Sequence, residues 1–82
     1  MTHALRVTVY HAADCSLCAR ALEVVTEARD ELGFDLELVD IAGDSELEAR
    51  YRTLLPVVEI DGEQAFTYFV DPGALRDRLR ER

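Results

Sequence analysis

Two short runs of alternating polar and apolar residues flank one helical stripe, and that succession leaves the chain few ways to fold. Arg6-Val7-Thr8-Val9-Tyr10 carries β-branched and aromatic residues in period two and reads as a strand ending near His11. From Cys18 onward the apolar residues Cys18, Ala21, Leu22, Val25, Ala28 and Leu32 recur at helical spacing, and Gly33 supplies a left-handed stop. Asp35-Leu36-Glu37-Leu38-Val39-Asp40-Ile41 then alternates again. Strand, helix and strand with tight connections make a βαβ unit, whose strands run parallel and whose crossover is right-handed.

The second half is organised differently. Ser45 and Glu48 have capping-box spacing, and Leu47, Tyr51 and Leu54 form a short apolar stripe, so a second helix is expected over about residues 45–53. Pro56 ends it. Val57-Val58-Glu59-Ile60, Asp61-Gly62 and Glu63-Gln64-Ala65-Phe66-Thr67-Tyr68 read as a hairpin, because Asp-Gly suits a type I′ turn. Asp71-Pro72 offers an acidic cap and a proline at the first helical position for a last helix through Leu75 and Leu79. The expected order is strand–helix–strand–helix–strand–strand–helix. This is an α/β domain with a four-stranded mixed sheet and helices on both faces.

At 82 residues the chain is one domain, residues 1–82, without linker, repeat or low-complexity tract. Its net charge of −8 comes from seventeen acidic residues against nine arginines, with no lysine. Such a surface cannot assemble the basic patch that phosphate binding requires, so nucleic acid is not an expected partner. No apolar run reaches the roughly 18–20 residues of a membrane span, and Met1 to Arg6 leads into a strand without a signal-peptide pattern. The expected location is the cytoplasm and the expected state a monomer.

Two cysteines are too few for a disulfide framework and, in a cytosolic chain, point to redox or metal chemistry. Their address narrows the choice: Cys15-Ser16-Leu17-Cys18 lies between the first strand and the first helix. A sulfur at a helix N-terminus meets unpaired N–H groups and the positive end of the macrodipole, both of which favour the reactive thiolate. Cys15 should therefore be exposed and attack a disulfide, while Cys18, one turn on and on the buried stripe, resolves the mixed disulfide. Asp14 opposes this. A carboxylate roughly 7 Å away at an effective dielectric of about 40 costs the thiolate on the order of 1 kcal/mol, against about 0.3–2 kcal/mol from the helix end. The two nearly offset, so the thiolate of Cys15 is favoured less than in strongly activated sites.

Val7-Thr8-Val9-Tyr10, Cys15-Ser16-Leu17-Cys18, Leu55-Pro56-Val57 and the Asp61-Gly62 hairpin together resemble glutaredoxins. The chain is most similar to the short bacterial glutaredoxin-like proteins, with a Cys-x-Leu-Cys helix start and a tail like Phe69-Val70-Asp71-Pro72-Gly73-Ala74-Leu75. The likeness covers essentially the whole chain. It implies a thioredoxin fold and a dithiol oxidoreductase, with Cys15 as nucleophile, Cys18 as resolver and Pro56 as a cis-proline beside them. On that fold Leu55 offers its backbone to a substrate chain, and His11, Ser16, Leu17 and Asp71 complete the expected substrate-binding set. No tightly bound cofactor is implied; glutathione or another low-molecular-weight thiol serves as co-substrate. The partners are a disulfide-containing protein or small disulfide and a reductase or thiol reductant. The sequence departs from the glutaredoxin pattern where glutathione is held. Ala12 stands in place of a basic residue, Ser16-Leu17 in place of Pro-Tyr, and Phe69-Val70 in place of a Gly-Gly turn.

Other readings of these residues remain open at this level. Taken alone, Pro56 reads more readily as a trans proline that ends a helix, and only the fold argument reverses that order. His3 and His11 could join the cysteines as a zinc or iron–sulfur site, although strand rise puts His3 roughly 20 Å from the cysteine loop. A third possibility is a binding module that keeps the fold without turnover. Phe66, Tyr68 and Phe69 are expected to pack in core and sheet. Arg76, Arg78, Arg80 and Arg82, interleaved with Asp77 and Glu81, are expected to form an ion-paired tail.

Overall fold

The computed structural model describes residues 5–80. Its elements are β1 (Arg6–His11), α1 (Ser16–Leu32), β2 (Asp35–Asp40), α2 (Ser45–Tyr51) with a 3-10 turn over Arg52–Leu54, β3 (Val57–Ile60), β4 (Glu63–Thr67) and α3 (Pro72–Arg80). They form one four-stranded sheet in the order β2-β1-β3-β4. β1 pairs parallel with β2 and antiparallel with β3, and β3 pairs antiparallel with β4. The sheet is mixed, as the pattern of runs requires.

Period-two alternation in β1 sends its side chains to two different cores. Val7 and Val9 are fully buried and pack with Val58 and Ile60 of β3. The helices α1 and α3 cover that face through Ala21, Val24, Val25, Ala28, Leu75 and Leu79. On the other face Tyr10 lies opposite Val57 and packs with Ile41, Tyr51 and Leu55 under α2. One strand thus supplies both layers.

Local chemistry sets the ends of these elements. Gly33 at φ 73° closes α1, its N–H donating to the Arg29 carbonyl at 2.7 Å, a backbone state that side-chain-bearing residues reach only with strain. Asp61 and Gly62, at φ 51° and 86°, both adopt the positive φ that a type I′ turn demands. Asp71 Oδ2 accepts from Ala74 N–H at 2.8 Å and caps α3.

Several expectations are corrected by the structure. The cap of α2 is Asp44, not Ser45: its Oδ1 accepts from the N–H groups of Glu46 and Leu47 at 3.1 Å, and its negative charge suits the positive end of the helix. Val24 belongs to the buried stripe of α1 while Leu32, in the last turn, is exposed. Tyr68 lies beyond β4 in a left-handed conformation. Tyr68 and Phe69 are 48% and 60% exposed instead of packed, and only Phe66 packs against the core. Arg76 pairs with Glu31 of α1 at 2.7 Å, clasping two helices rather than its own tail. Glu81 and Arg82 lie outside the described residues. No described helix is long and apolar enough to cross a membrane.

Leu75 is fully buried between α3 and the sheet, whereas Leu38 on β2 is 49% exposed. Leu75→Ala is expected to lower unfolding free energy by about 2–5 kcal/mol, a large part of the roughly 4–12 kcal/mol typical for this length. Leu38→Ala should cost under about 1 kcal/mol. Urea denaturation of the two variants checks the difference.

Candidate redox site

The parallel crossover leaves β1 at His11 and must enter α1 within a few residues, so Ala12 to Cys15 form a short loop over the end of the sheet. Cys15 is the N-cap of α1, with extended backbone at φ −116°, and its Sγ accepts a hydrogen bond from Cys18 N–H at 3.1 Å. A sulfur thereby takes the place of the usual capping oxygen. Cys15 and Cys18 are joined by a disulfide, with Cα atoms 5.2 Å apart. Cys18 is 1% exposed, while Cys15 is half-buried. Of the two sulfurs, only the first faces outward.

The loop before β3 lies against this pair. Cys18, Ala12, Ile41, Tyr51, Leu55 and Val57 form one buried cluster, and Cys15 packs on it. The Leu55–Pro56 peptide bond is cis, and the Pro56 side chain is fully buried. Tyr68 N–H reaches the carbonyls of both Leu54 and Pro56, at 3.3 and 3.0 Å, on either side of Leu55. The start of the segment after β4 is thereby tied to the proline loop.

The sequence-predicted site residues divide into two groups. Cys15, Cys18 and Leu55 converge in one cluster, with the buried Pro56 next to Leu55 in the chain, and Ser16 and Leu17 are exposed in the first turn between the sulfurs, Leu17 at 47%. His11 ends β1 half-buried, its carbonyl accepting from Ile41 N–H. Asp71 follows Val70, which packs in the other core, and its carboxylate is taken up by the cap of α3. His3 lies outside the described residues, and among those described no three His, Cys, Asp or Glu side chains gather as metal ligands.

Two features near the cysteines went unread in the sequence. Arg52, just past α2, holds Glu48 Oε1 through Nη2 at 2.7 Å and Nε at 3.1 Å, and reaches Asp14 Oδ1 through Nη1 at 3.2 Å. The i,i+4 spacing of Glu48 and Arg52 is visible in the chain; the contact with Asp14, 38 residues away, is not. The second is Tyr51, whose ring stacks on Tyr10 with centroids 4.3 Å apart and whose hydroxyl donates to Glu59 Oε2 at 3.1 Å. Burial, and then the neighbouring Glu59 carboxylate, push the Tyr51 hydroxyl up to about 12. It stays protonated at neutral pH and offers no base to the cysteines.

A raised value means that the folded protein holds this proton where the unfolded chain has lost it. The stabilisation is complete below about pH 10 and fades as pH rises toward 12. Absorbance titration at 295 nm should show one tyrosine ionising last, and Tyr51→Phe should remove that late step. The same substitution should flatten the decline of stability above pH 10, a decline on the order of 2 kcal/mol in the parent protein.

Comparison with known proteins agrees with this geometry. A crystal structure of a Xanthomonas protein (X. campestris) superposes with a TM-score of 0.77 at 29% identity, covering 93% of this chain and 97% of that one. Thioredoxin-2 of the malaria parasite superposes at 0.78 with 17% identity, over 100% of this chain and 86% of the other, and so shares the fold. A protein of Mycobacterium tuberculosis is 36% identical over 69 residues, which make up 78% of this chain and 71% of the relative. The model of the glutaredoxin-like domain (DUF836) matches residues 6–80. With that match running from the first residue of β1 to the last of α3, and with the thioredoxin fold around the cysteine pair, the chain belongs to the glutaredoxin-like domain family.

Proposed function

We propose that this protein is a thiol–disulfide oxidoreductase that reduces protein or low-molecular-weight disulfides through Cys15 and Cys18. The observation that carries the reading is the capping geometry: Cys15 Sγ accepts the Cys18 N–H at the mouth of α1, with Cys18 buried behind it. In the reduced protein the same N–H and the helix end favour a negatively charged sulfur.

The Cys15 thiolate attacks one sulfur of a substrate disulfide. A Cys15–substrate bond forms, the substrate S–S bond breaks, and one thiolate leaves and takes a proton from water. Cys18, having lost its proton, then attacks Cys15 Sγ and displaces the second substrate thiolate. Two electrons pass to the substrate, and the Cys15–Cys18 disulfide remains. A low-molecular-weight thiol, glutathione among them, or a reductase returns it to the dithiol. A cycle of this kind suits a reducing compartment, the cytoplasm.

In this reading Leu55, packed in the same cluster as the cysteines, offers its backbone to the substrate chain. Ser16, Leu17 and His11 line the approach, and Asp71 contributes through the position of α3. Tyr68 and Phe69, exposed beyond β4, extend the apolar surface available to a partner.

Cys15→Ser is expected to reduce turnover of insulin or hydroxyethyl disulfide to the uncatalysed background. Cys18→Ser should retain the first step and accumulate a mixed disulfide on Cys15, visible by mass spectrometry as the added mass of the substrate thiol. Equal turnover by the parent protein and Cys15→Ser would remove the reading.

A further inference from the structure

We propose that Arg52 is a positioning residue for the Cys15 thiolate, clamped to Glu48 and holding the Asp14 carboxylate in an ion pair that cancels its opposition to the charged sulfur. The inference rests on the redox reading of Cys15 and adds to it a third group with a defined task.

Asp14 is adjacent to the cap residue of α1, and no acidic residue occupies the first turn of that helix. It is therefore the nearest carboxylate in sequence to the sulfur, and its side chain is 79% exposed, free of packing that would fix its direction. Arg52 supplies the direction. Two of its nitrogens are spent on one oxygen of Glu48, which aims the third at Asp14 Oδ1. A planar guanidinium presents its donors to the two carboxylates in one fixed fork, where an ammonium is a point charge on a flexible stem. Both carboxylates, Glu48 first, push the Arg52 value further up, so its charge persists wherever Cys15 titrates.

Other titratable groups on the surrounding elements are engaged elsewhere. Asp40 and Asp44 accept from backbone N–H groups of their own turn, and Asp71 does so in the cap of α3. Glu59 of β3 accepts from Tyr51, and Arg50 lies over the Tyr51 ring at 5.7 Å. His11 of β1, Arg20 and Glu23 of α1 and Glu46 of α2 are also charged or titratable, and all are unchanged in the variants below.

The test uses full-length protein carrying Cys18→Ala, so that iodoacetamide reports on Cys15 alone. The pH midpoint of alkylation is measured at low and at high salt. Arg52→Gln is expected to raise the midpoint by about half a pH unit and to slow alkylation at neutral pH about two- to threefold. Asp14→Asn should lower the midpoint, and Arg52→Gln added to Asp14→Asn should move it less than half as far as it does alone. Arg52→Lys should recover part of the loss. Salt at about 0.5 M should shrink the difference between the parent and the Arg52→Gln variant, because exposed charges are screened over a few ångströms there. An unchanged midpoint in Arg52→Gln overturns the proposal, as does an equal shift with and without the Asp14 carboxylate. Should Arg52→Gln fail to fold, Arg52→Met with and without Asp14→Asn gives the same comparison. Alkylation needs no turnover: coupling without disulfide reduction would sink the proposed function and leave this inference standing, and reduction without coupling would do the reverse.

Discussion

The double pairing of β1 is the constraint on which everything else depends. Hydrogen-bonded to β2 on one side and β3 on the other, this strand leaves Val7 and Val9 no exposure and sets the register of both neighbours. A one-residue slip would exchange the two faces, sending valines toward α2 and tyrosine into the larger core. Because β1 is central, its C-terminal end is enclosed by the starts of α1 and β3. That is where the cysteine loop meets the proline loop.

From that placement the chemistry follows with little further machinery. The cysteine that ends the loop is forced into the capping position, and the turn that follows delivers the second sulfur to the buried side. The unequal exposure of the two sulfurs comes from helical geometry alone, since residues three apart share a face but not a depth at a helix terminus. Surface ion pairs such as Arg52 with Asp14 add little to stability. Near an ionisable sulfur, the proposed task of the same pair is to set charge, and there a small energy is enough to change protonation.

Elements defined by local chemistry were readable from the chain. Asp61-Gly62 announces its turn, Gly33 its helix stop, and Asp71-Pro72 the start of α3, because each of these states depends on one or two residues. The cysteine pair was legible for the same reason, by its position between a strand and a helix. What escaped depends on distant partners. Leu32 fits the helical stripe but is left exposed in the last turn, and Tyr68 fits the alternation but turns left-handed to share its N–H with the proline loop. Ser45 has the right spacing for a cap, yet Asp44 competes for the same donors and wins. Arg52 and Asp14 meet only once α2 has folded over the sheet.

The bond from Tyr68 N–H to the carbonyls flanking Leu55 has a mechanical consequence. Phe69, the most protruding aromatic ring of the described residues, is the next residue along, and its own N–H returns to Thr67. The exposed Phe69 ring and the loop that carries Leu55 are therefore one residue apart through a backbone bond, so that the position of either constrains the other.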